Sequence, residues 1–347
     1  MVAPRPFDDL TVEHIEFYVA DLAGTTEWLT GGYGLLAGPE PVRDAGANTT
    51  TVSSGDIRLL LTQPVAEDHA GATYLRRHGD GVADIALRVA DAEGAFAEAV
   101  RRGARPVAQP RRHGSVLTAS ILGFGDVVHT FVQHLAPTGP VGDAPAGEFG
   151  LSEVDHFAVC LETGTLDGTV EFYERVLDFE TIFTEKILVG AQGMDSKVVQ
   201  SRSGAVTLTL IQPDPDREPG QIDDFLAAHG GAGVQHVAFS VPDIVHTVSR
   251  SAGTGVEFLS TPAAYYRLLA ERLTPSRHTV EELGALSILV DEDHDGQLFQ
   301  IFARSVHPRN TFFVELIERL GARTFGSGNI KALYEAVEAQ RAQERAA

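Results

Sequence analysis

The sequence predicts an α+β fold in which paired βαβββ modules are duplicated and form two open-barrel domains. The first observation is an internal repeat, because VEHIEFYVADL at residues 12–22 is echoed by VDHFAVCLETG at residues 154–164. The second is a further echo, in which HGDGVADIALRVAD at residues 78–91 matches HGGAGVQHVAFSVPD at residues 229–243. Two echoed pairs indicate that each half of the chain holds two modules.

Within each half, strand-like and helix-like segments follow one another in the order that a βαβββ module requires. Apolar residues recur at helical spacing in residues 92–104 and 168–179. Residues 51–64 and 198–213 each contain two apolar stretches that are separated by a glycine-containing turn, which is typical of a β-hairpin. We therefore expect one amphipathic helix and a run of short strands in each module.

A linker separates the two halves. Residues 136–150, APTGPVGDAPAGEFG, are rich in Pro, Gly and Ala and show no apolar periodicity. We predict an N-terminal domain over residues 1–140, a degenerate module pair without metal, and a catalytic domain over residues 151–347. The tail after residue 328 has apolar residues at helical spacing, so we expect a C-terminal helix that closes the active site.

Composition excludes several classes of partner. The 347-residue chain is 43% apolar and carries a net charge of −21, with acidic residues distributed along its length. Such a charge disfavours nucleic acids and anionic membranes as partners. The single cysteine, the absence of a secretory signal pattern and the absence of an apolar stretch of about 20 residues predict a soluble, cytoplasmic protein that acts on a small molecule.

The duplication points to a metal site in the second half alone. His14 corresponds to His156, but the second half has His236 where the first half has Asp84. Both second-half histidines begin apolar strands, so the repeat is expected to bring their imidazoles together. Glu315 lies between bulky apolar residues, where an unpaired carboxylate would be costly to bury unless a metal accompanies it.

Two imidazoles and one carboxylate form the ligand set of non-haem Fe(II) oxygenases, which leaves open positions for substrate and O₂. From the residue pattern alone, Glu318 and His246 remain possible substitutes for members of this set. Each histidine, taken singly, can also be an ordinary hydrogen-bonded strand residue.

Longer segments resemble one known family. GAGVQHVAF at 231–239, the stretch LVDEDHDGQLFQIFARSVHPRNTFFVELIER at 289–319, and FGSGNIKALYEAVE at 325–338 resemble the 4-hydroxyphenylpyruvate dioxygenase family of the vicinal oxygen chelate fold. The resemblance covers most of residues 152–340. It implies Fe(II) ligands at His156, His236 and Glu315, a 2-oxo acid substrate that chelates the iron, and O₂ as co-substrate.

Two departures from the dioxygenases bear on the product. Those enzymes typically carry Pro-Ile-Asn-Glu-Pro where this chain has TLIQP at residues 209–213, so Ile211 replaces a polar side chain. Ile330 stands where they usually have phenylalanine. Both changes, and LVGAQGMDSKVVQSRSGAVTLTLI at residues 188–211, resemble the hydroxymandelate-forming members of the family.

The resemblance therefore implies conversion of 4-hydroxyphenylpyruvate and O₂ into 4-hydroxymandelate and CO₂, a step associated with hydroxyphenylglycine supply for peptide antibiotics. The alternative product is homogentisate, and a rival from another class is a metal-free binding protein, because the same fold also serves in proteins that sequester small molecules. The homologous folds also imply self-association as a homodimer or a larger homo-oligomer.

Further side chains are candidates for substrate contacts. Polar groups that can orient the substrate are expected from Ser196, Thr209, Gln221 and Gln300. Phe302 and Phe325 are expected to form aromatic walls, and the closing helix contributes Asn329, Ile330 and Tyr334. Each of these residues can also have an ordinary role in the core, at a helix cap or in strand hydrogen bonding. For Gln300 such a role is less expected, because its amide is flanked by Phe299, Ile301 and Phe302 and needs a partner.

Overall fold

A computed structural model describes residues 6–39, 42–43, 46–136, 146–326 and 328–329. The strands of the first half are β1 (Thr11–Tyr18), β2 (Leu36–Ala37), β3 (Val42–Arg43), β4 (Ala47–Ser54), β5 (Ile57–Pro64), β6 (Gly81–Arg88), β7 (Pro106–His113), β8 (Val116–Phe124) and β9 (Val127–His134). The strands of the second half are β10 (Glu153–Cys160), β11 (Glu180–Val189), β12 (Gln192–Gln200), β13 (Thr207–Pro213), β14 (Gly233–Ser240), β15 (Leu289–Glu292), β16 (Gln297–Phe302) and β17 (Phe313–Leu320). The helices are α1 (Leu22–Tyr33), α2 (Ala70–His78), α3 (Ala92–Arg101), α4 (Leu166–Leu177), α5 (Gln221–His229), α6 (Ile244–Arg250), α7 (Ala263–Arg272) and α8 (Val280–Leu286).

The strands form two sheets, one from each half of the chain. The first runs in the order β2-β4-β5-β1-β6-β9-β8-β7, with β3 paired to β4. The second runs in the order β11-β12-β13-β10-β14-β17-β16-β15. In both sheets the first strands of the two modules pair antiparallel at the centre, β1 with β6 and β10 with β14. The predicted α+β class with duplicated βαβββ modules is confirmed.

Local sequence explains where the module helices begin and end. Asp21 and Asp91 are the N-cap residues of α1 and α3, and each carboxylate accepts a hydrogen bond of 3.0 Å from the amide three residues later. At the other end, α1 stops at Gly34, whose φ of +70° is a left-handed conformation that glycine adopts without strain. The aspartate N-cap recurs at α6, where Asp243 caps the helix, because the modules are copies of one another.

The core lies between the helices and the inner surfaces of the sheets. Helix α4 shows how it forms, because Val170, Tyr173, Val176 and Leu177 recur at helical spacing and are all buried. The Tyr173 hydroxyl also meets Nε2 of His129 on β9 at 2.7 Å, which joins the two halves through a buried hydrogen bond. Truncation of a buried side chain such as Leu177 to alanine would cost about 2–5 kcal/mol of stability.

The last module of the chain is longer than the other three. Two additional helices, α7 and α8, lie between α6 and β15, and they pack against each other and beside the sheet end that holds β15. The predicted C-terminal helix, with Ile330 and Tyr334, lies outside the described residues. Among the helices that the structure describes, none is both long and apolar enough to cross a membrane.

Candidate metal centre

Three neighbouring strands of the second sheet carry the three predicted metal ligands. His156 of β10 lies opposite Ala238 of β14, and Ala238 lies opposite Glu315 of β17. His236 precedes Ala238 by two residues, so it projects from the same face of the sheet. The short side chain of Ala238 leaves room for the longer side chains around it. The ladder register thus gathers three side chains that are far apart in the sequence.

The donor atoms of these residues converge on one point. Oε2 of Glu315 lies 3.5 Å from Nε2 of His156 and 3.2 Å from Nε2 of His236. The three donor atoms all lie within 4.8 Å of one another. Two ligand atoms that are each about 2.1 Å from one ion and at right angles to it would be about 3 Å apart. The observed spacing is therefore close to what a single ion requires.

Burial and charge at this cluster also favour a cation. The side chain of Glu315 is only 3% exposed. Burial lowers the pKa of His236 below its ordinary value, although the neighbouring Glu315 carboxylate acts in the opposite direction. A neutral imidazole is the form that binds metals. The Glu315 carboxylate lies buried beside the neutral imidazole of His236, and a divalent ion would supply a compensating charge.

His156 has a second hydrogen-bonded neighbour behind it. Its Nδ1 lies 2.8 Å from Oδ1 of Asp155, and Arg319 donates to both oxygens of that carboxylate, at 2.6 and 2.9 Å. Burial would raise the pKa of Asp155, but the hydrogen bonds from Arg319 and His156 hold it well below its usual range. Neither Asp155 nor Arg319 was singled out in the sequence. The acidic residue that precedes each repeated histidine was a signal for Asp155. Nothing in the sequence indicated Arg319.

Corresponding positions in the first half carry different chemistry. Asp84 takes the place of His236, and Thr130 stands where the second sheet has Glu315. Thr130 donates a backbone hydrogen bond of 3.0 Å and a short side-chain hydrogen bond to Asp84. Burial raises the pKa of Asp84 to about 8, although these hydrogen bonds act against the rise. Among the described residues, groups of three potential ligands converge only in the second half.

Three predicted substrate contacts lie on strands beside the centre. Thr209 of β13 lies opposite Ala158, which lies opposite His236. Ile211, two residues further on, lies opposite both Ser196 of β12 and Cys160 of β10. Alternation along the strand therefore places Thr209 and Ile211 on the same face as the ligands.

Ile211 packs against a small apolar cluster at the edge of this face. The buried members of the cluster are Cys160, Met194, Ile222 and Phe225. Burial raises the pKa of the Cys160 thiol well above its ordinary value, which makes it a poor nucleophile. The surroundings of Ile211 are thus aliphatic and aromatic.

The two predicted aromatic residues come from β16 and from the segment after β17, and Phe313 of β17 also stacks on His236, at 4.8 Å. Phe302 lies opposite Glu315 in the ladder, and its ring centroid is 6.0 Å from that of His236. The ring of Phe325 lies edge-on to His156 at 5.2 Å. Gln300 of β16 is fully buried on the same face as Phe302. The two predicted aromatic walls therefore both contact ligand histidines.

The remaining predicted contacts have different surroundings. Asn329 is buried, and its Oδ1 accepts a 2.7 Å hydrogen bond from the Tyr265 hydroxyl. Gln221 is the first residue of α5 and is exposed to solvent, unlike the other polar candidates that the structure describes. The alternatives to the ligand set lie elsewhere: Glu318 binds Arg277 and His278, and His246 is exposed on α6.

Several buried polar atoms at this end of the second sheet have no hydrogen-bond partner among the described residues. These are Nδ1 of His236, Oγ1 of Thr209, Oε1 of Gln300 and Nδ2 of Asn329. A buried polar group without a partner costs about 1–3 kcal/mol. A polar ligand on the ligand face would satisfy Thr209 and Gln300, whereas Nδ1 of His236 points away from the centre, because Nε2 of that ring faces Glu315.

Comparisons with known proteins point to one superfamily. The family model described as "Glyoxalase/Bleomycin resistance protein/Dioxygenase superfamily" matches residues 153–301, and a second model with the same description matches residues 13–118. A triple mutant of 4-hydroxymandelate synthase from Streptomyces coelicolor superposes with a TM-score of 0.84. That structure is 41% identical, and the match covers 97% of this chain and 100% of the other.

Curated relatives extend over nearly the whole chain. The 4-hydroxyphenylpyruvate dioxygenase of Neurospora crassa is 32% identical, with 84% of this chain and 81% of the relative covered. The enzyme of the same name from Dictyostelium discoideum is 31% identical, with 94% and 97% covered. A probable 4-hydroxyphenylpyruvate dioxygenase of Aspergillus fumigatus is 34% identical, with 91% and 83% covered. With this identity over most of its length, the chain belongs to the 4-hydroxyphenylpyruvate dioxygenase family and is a dioxygenase.

Proposed function

We propose that this chain converts 4-hydroxyphenylpyruvate and O₂ into 4-hydroxymandelate and CO₂, with Fe(II) as its metal, and is thus a 4-hydroxymandelate synthase. The reaction balances because the 2-oxo acid loses its carboxyl group as CO₂. One oxygen atom of O₂ enters the new carboxylate and the other becomes the benzylic hydroxyl. As part of the same proposal, the product would supply hydroxyphenylglycine for peptide antibiotics.

The donor set suits Fe(II). His156, His236 and Glu315 present two imidazole nitrogens and one carboxylate oxygen on one face, which is the ligand pattern of non-haem iron oxygenases. When bound there, Fe(II) would be chelated by the 2-oxo acid and would activate O₂ beside it. Each ligand lies on a strand whose register is fixed by its neighbours, which positions the three side chains for one ion.

The unpartnered polar atoms provide a means of orienting the substrate. Thr209 and Gln300 offer a hydroxyl and an amide oxygen that can bond the phenol or water, and Asn329 offers an amide N–H₂ donor. Phe302 and Phe325 flank the two histidines and restrict the access of water to the reacting carbon. We propose that these groups hold the aromatic ring at one angle relative to the metal.

The assignment of the product rests on the side chain at position 211, Ile211. It lies on the ligand face, packed against an apolar cluster, and offers no hydrogen bond to a substrate. The dioxygenases of the family carry asparagine at this position, and its side chain can make a polar contact with the substrate. Isoleucine cannot make that contact. A change in preference of about 1.4 kcal/mol alters a product ratio tenfold, so one lost contact is large enough to favour attack at the benzylic carbon. The full-length likeness to a hydroxymandelate synthase structure supports this choice.

A second candidate function is formation of homogentisate. It is favoured by the names of the curated relatives, which are 4-hydroxyphenylpyruvate dioxygenases. The same metal centre serves both reactions, because they differ only in whether the ring or the benzylic carbon is attacked. A metal-free binding protein is the third alternative, against which the retained ligand set argues.

The test is incubation of the purified, Fe(II)-loaded protein with 4-hydroxyphenylpyruvate in air. The two products are isomers of equal mass, so they must be separated by retention time against authentic standards and by fragmentation. We expect hydroxymandelate as the main product. Homogentisate as the main product would be consistent with the metal centre but would contradict the role of Ile211. Absence of both turnover and stoichiometric iron binding would support the binding-protein alternative.

A further inference from the structure

An irregularity in β10 brings Asp155 beside His156. The ladder with β14 passes from the Val154–Phe239 pair directly to the His156–Ala238 pair, so Asp155 is an additional residue in its strand. Successive side chains of a regular strand point to opposite faces, which would keep these two apart. A bulge re-aims a side chain, and here Oδ1 of Asp155 reaches Nδ1 of His156 at 2.8 Å.

This contact determines which ring nitrogen of His156 is free. The Asp155 carboxylate is an acceptor only, so Nδ1 of His156 donates the hydrogen to it. The neutral ring then has its lone pair on Nε2, the nitrogen that faces Glu315. Asp155 therefore selects the tautomer that a metal ligand needs.

The guanidinium group of Arg319 contacts both the Asp155 carboxylate and the backbone that follows β17. Its Nε and Nη2 donate to the two oxygens of Asp155, while Nη1 donates to the carbonyls of Ala322 and Thr324, at 3.0 and 2.7 Å. Its carbon Cζ also lies 5.1 Å from the centre of the Phe325 ring. One side chain thus joins the carboxylate behind His156 to the segment of residues 321–325.

That segment is also anchored from the turn between β15 and β16. Oδ2 of Asp293 accepts hydrogen bonds from the backbone amides of Arg323 and Thr324, at 2.7 and 2.9 Å. Phe325, at the end of the segment, contacts the ring of His156. The order of residues 321–325 therefore decides where an aromatic wall of the centre lies.

The first half provides an internal comparison. Glu13 corresponds to Asp155, and its oxygens bind Arg58, Arg88 and His134, the last of which stands where the second sheet has Arg319. A similar buried ion pair is therefore present in both halves. Only in the second half does the carboxylate also bind a histidine of a converging ligand group.

We infer that Asp155 and Arg319 are positioning residues that fix His156 for the metal and link metal binding to the order of residues 321–325. The inference rests on the proposed function, because it takes His156 as a ligand. Linkage of this kind is reciprocal: if an ordered segment favours the metal, the metal favours the ordered segment.

Metal affinity tests the first part. Metal-free full-length protein would be titrated anaerobically with Fe(II) against a chromophoric chelator, for wild type, Asp155→Asn and Arg319→Lys. We expect both variants to bind about 10–100-fold more weakly. Glu13→Gln and Arg88→Lys alter the corresponding ion pair in the first half and are expected to bind within about threefold of wild type. Equal affinity in all five proteins, or equal losses in the controls, would overturn the positioning role.

Hydrogen exchange tests the linkage and does not depend on activity. In wild type, Fe(II) is expected to slow amide exchange in a peptide that covers residues 321–326, and this slowing should be lost in Asp155→Asn and Arg319→Lys at saturating metal. If Fe(II) binds wild type without slowing exchange there, or slows it equally in the variants, the linkage is wrong. If wild type does not bind Fe(II) at all, the proposed function fails instead, so the two failures are distinct. Should one variant fail to fold, the other variant still tests the linkage, because each alters one side of the contact between Asp155 and Arg319.

Discussion

The Tyr265 hydroxyl donates a 2.7 Å hydrogen bond to Oδ1 of Asn329, which leaves the amide nitrogen of Asn329 as its unpaired end. The same hydroxyl accepts a hydrogen bond of 2.9 Å from the backbone amide of Val290 and lies 3.0 Å from the carbonyl of that residue, which is a longer contact than the one to Asn329. Helix α7, in the insertion of the last module, thereby determines which end of a buried amide can serve as a donor.

Replacement of Tyr265 by phenylalanine is expected to raise the KM for 4-hydroxyphenylpyruvate about fivefold. Without the hydroxyl the Asn329 amide can rotate, and a hydrogen bond of about 1 kcal/mol is lost. Tyr266→Phe is the matched control, because the neighbouring hydroxyl donates to the carbonyl of Ile288, away from Asn329. Steady-state kinetics of both variants give the answer, and an equal change in KM in both would contradict a role for Tyr265 in orienting Asn329.

Loss of the Glu315 carboxylate is expected to abolish both turnover and stoichiometric iron binding. Glu315→Ala removes the only charged member of the ligand group, and metal binding by two neutral imidazoles alone is weak. Glu318→Gln is a suitable control, because Glu318 is equally buried on the same strand but binds Arg277 and His278. The control should lower the unfolding temperature and keep its iron, as measured by metal analysis after desalting. An active, iron-containing Glu315→Ala protein would rule out the ligand assignment.

Ile211→Asn is expected to divert part of the product to homogentisate, and the double variant with Ile330→Phe should divert more. The amide restores a polar contact on the ligand face, and about 1.4 kcal/mol of preference would shift the product ratio tenfold. Ile187→Asn is the control, because Ile187 packs against the same apolar cluster from β11, further from the ligands. The ratio of the two isomers would be measured by chromatography. A double variant with the wild-type ratio would show that these positions do not select the product.

Stability should fall in acid partly because of His129. Burial lowers the pKa of His129 to about 4, from an ordinary value of 6.5, although its hydrogen bond to the Ile85 carbonyl acts in the opposite direction. Between these two pH values the unfolded chain binds a proton that the folded protein does not. The contribution of His129 to stability is therefore complete above about pH 6.5 and is lost as the pH falls to about 4.

In magnitude this loss is about 3 kcal/mol in the free energy of unfolding. Between pH 6.5 and 4, we expect the free energy of unfolding of metal-free His129→Gln to fall by about 3 kcal/mol less than that of wild type. Denaturant unfolding at each pH would measure this difference. His14 and His229, whose pKa values burial also lowers to about 4, are present in both proteins, so the difference isolates His129. His113→Gln, at an exposed position, controls for the removal of an imidazole. Parallel stability curves for His129→Gln and wild type would contradict the assignment.

The centre of the second sheet shows how far sequence reasoning extends. A contrast between the two halves singled out His236, because a histidine replaces Asp84 at an otherwise repeated position, and burial singled out Glu315. The same pattern could not exclude Glu318, since alternation along β17 is not visible until the strand has partners. The structure places Glu318 on the other face, where it binds Arg277 and His278.

By itself the sequence determined the fold class and the duplication, because apolar periodicity and internal repetition are properties of short segments and of their copies. It named His156, His236 and Glu315 as ligand candidates but left Glu318 and His246 open. Only the tertiary structure decided which side chains surround those three. The bulge that brings Asp155 to His156, the reach of Arg319 to Ala322 and Thr324, and the contact of Tyr265 with Asn329 all join residues on separate elements. Such contacts depend on strand register and on the paths of connecting segments, and a shift of one residue in a strand reverses the face of every side chain that it carries.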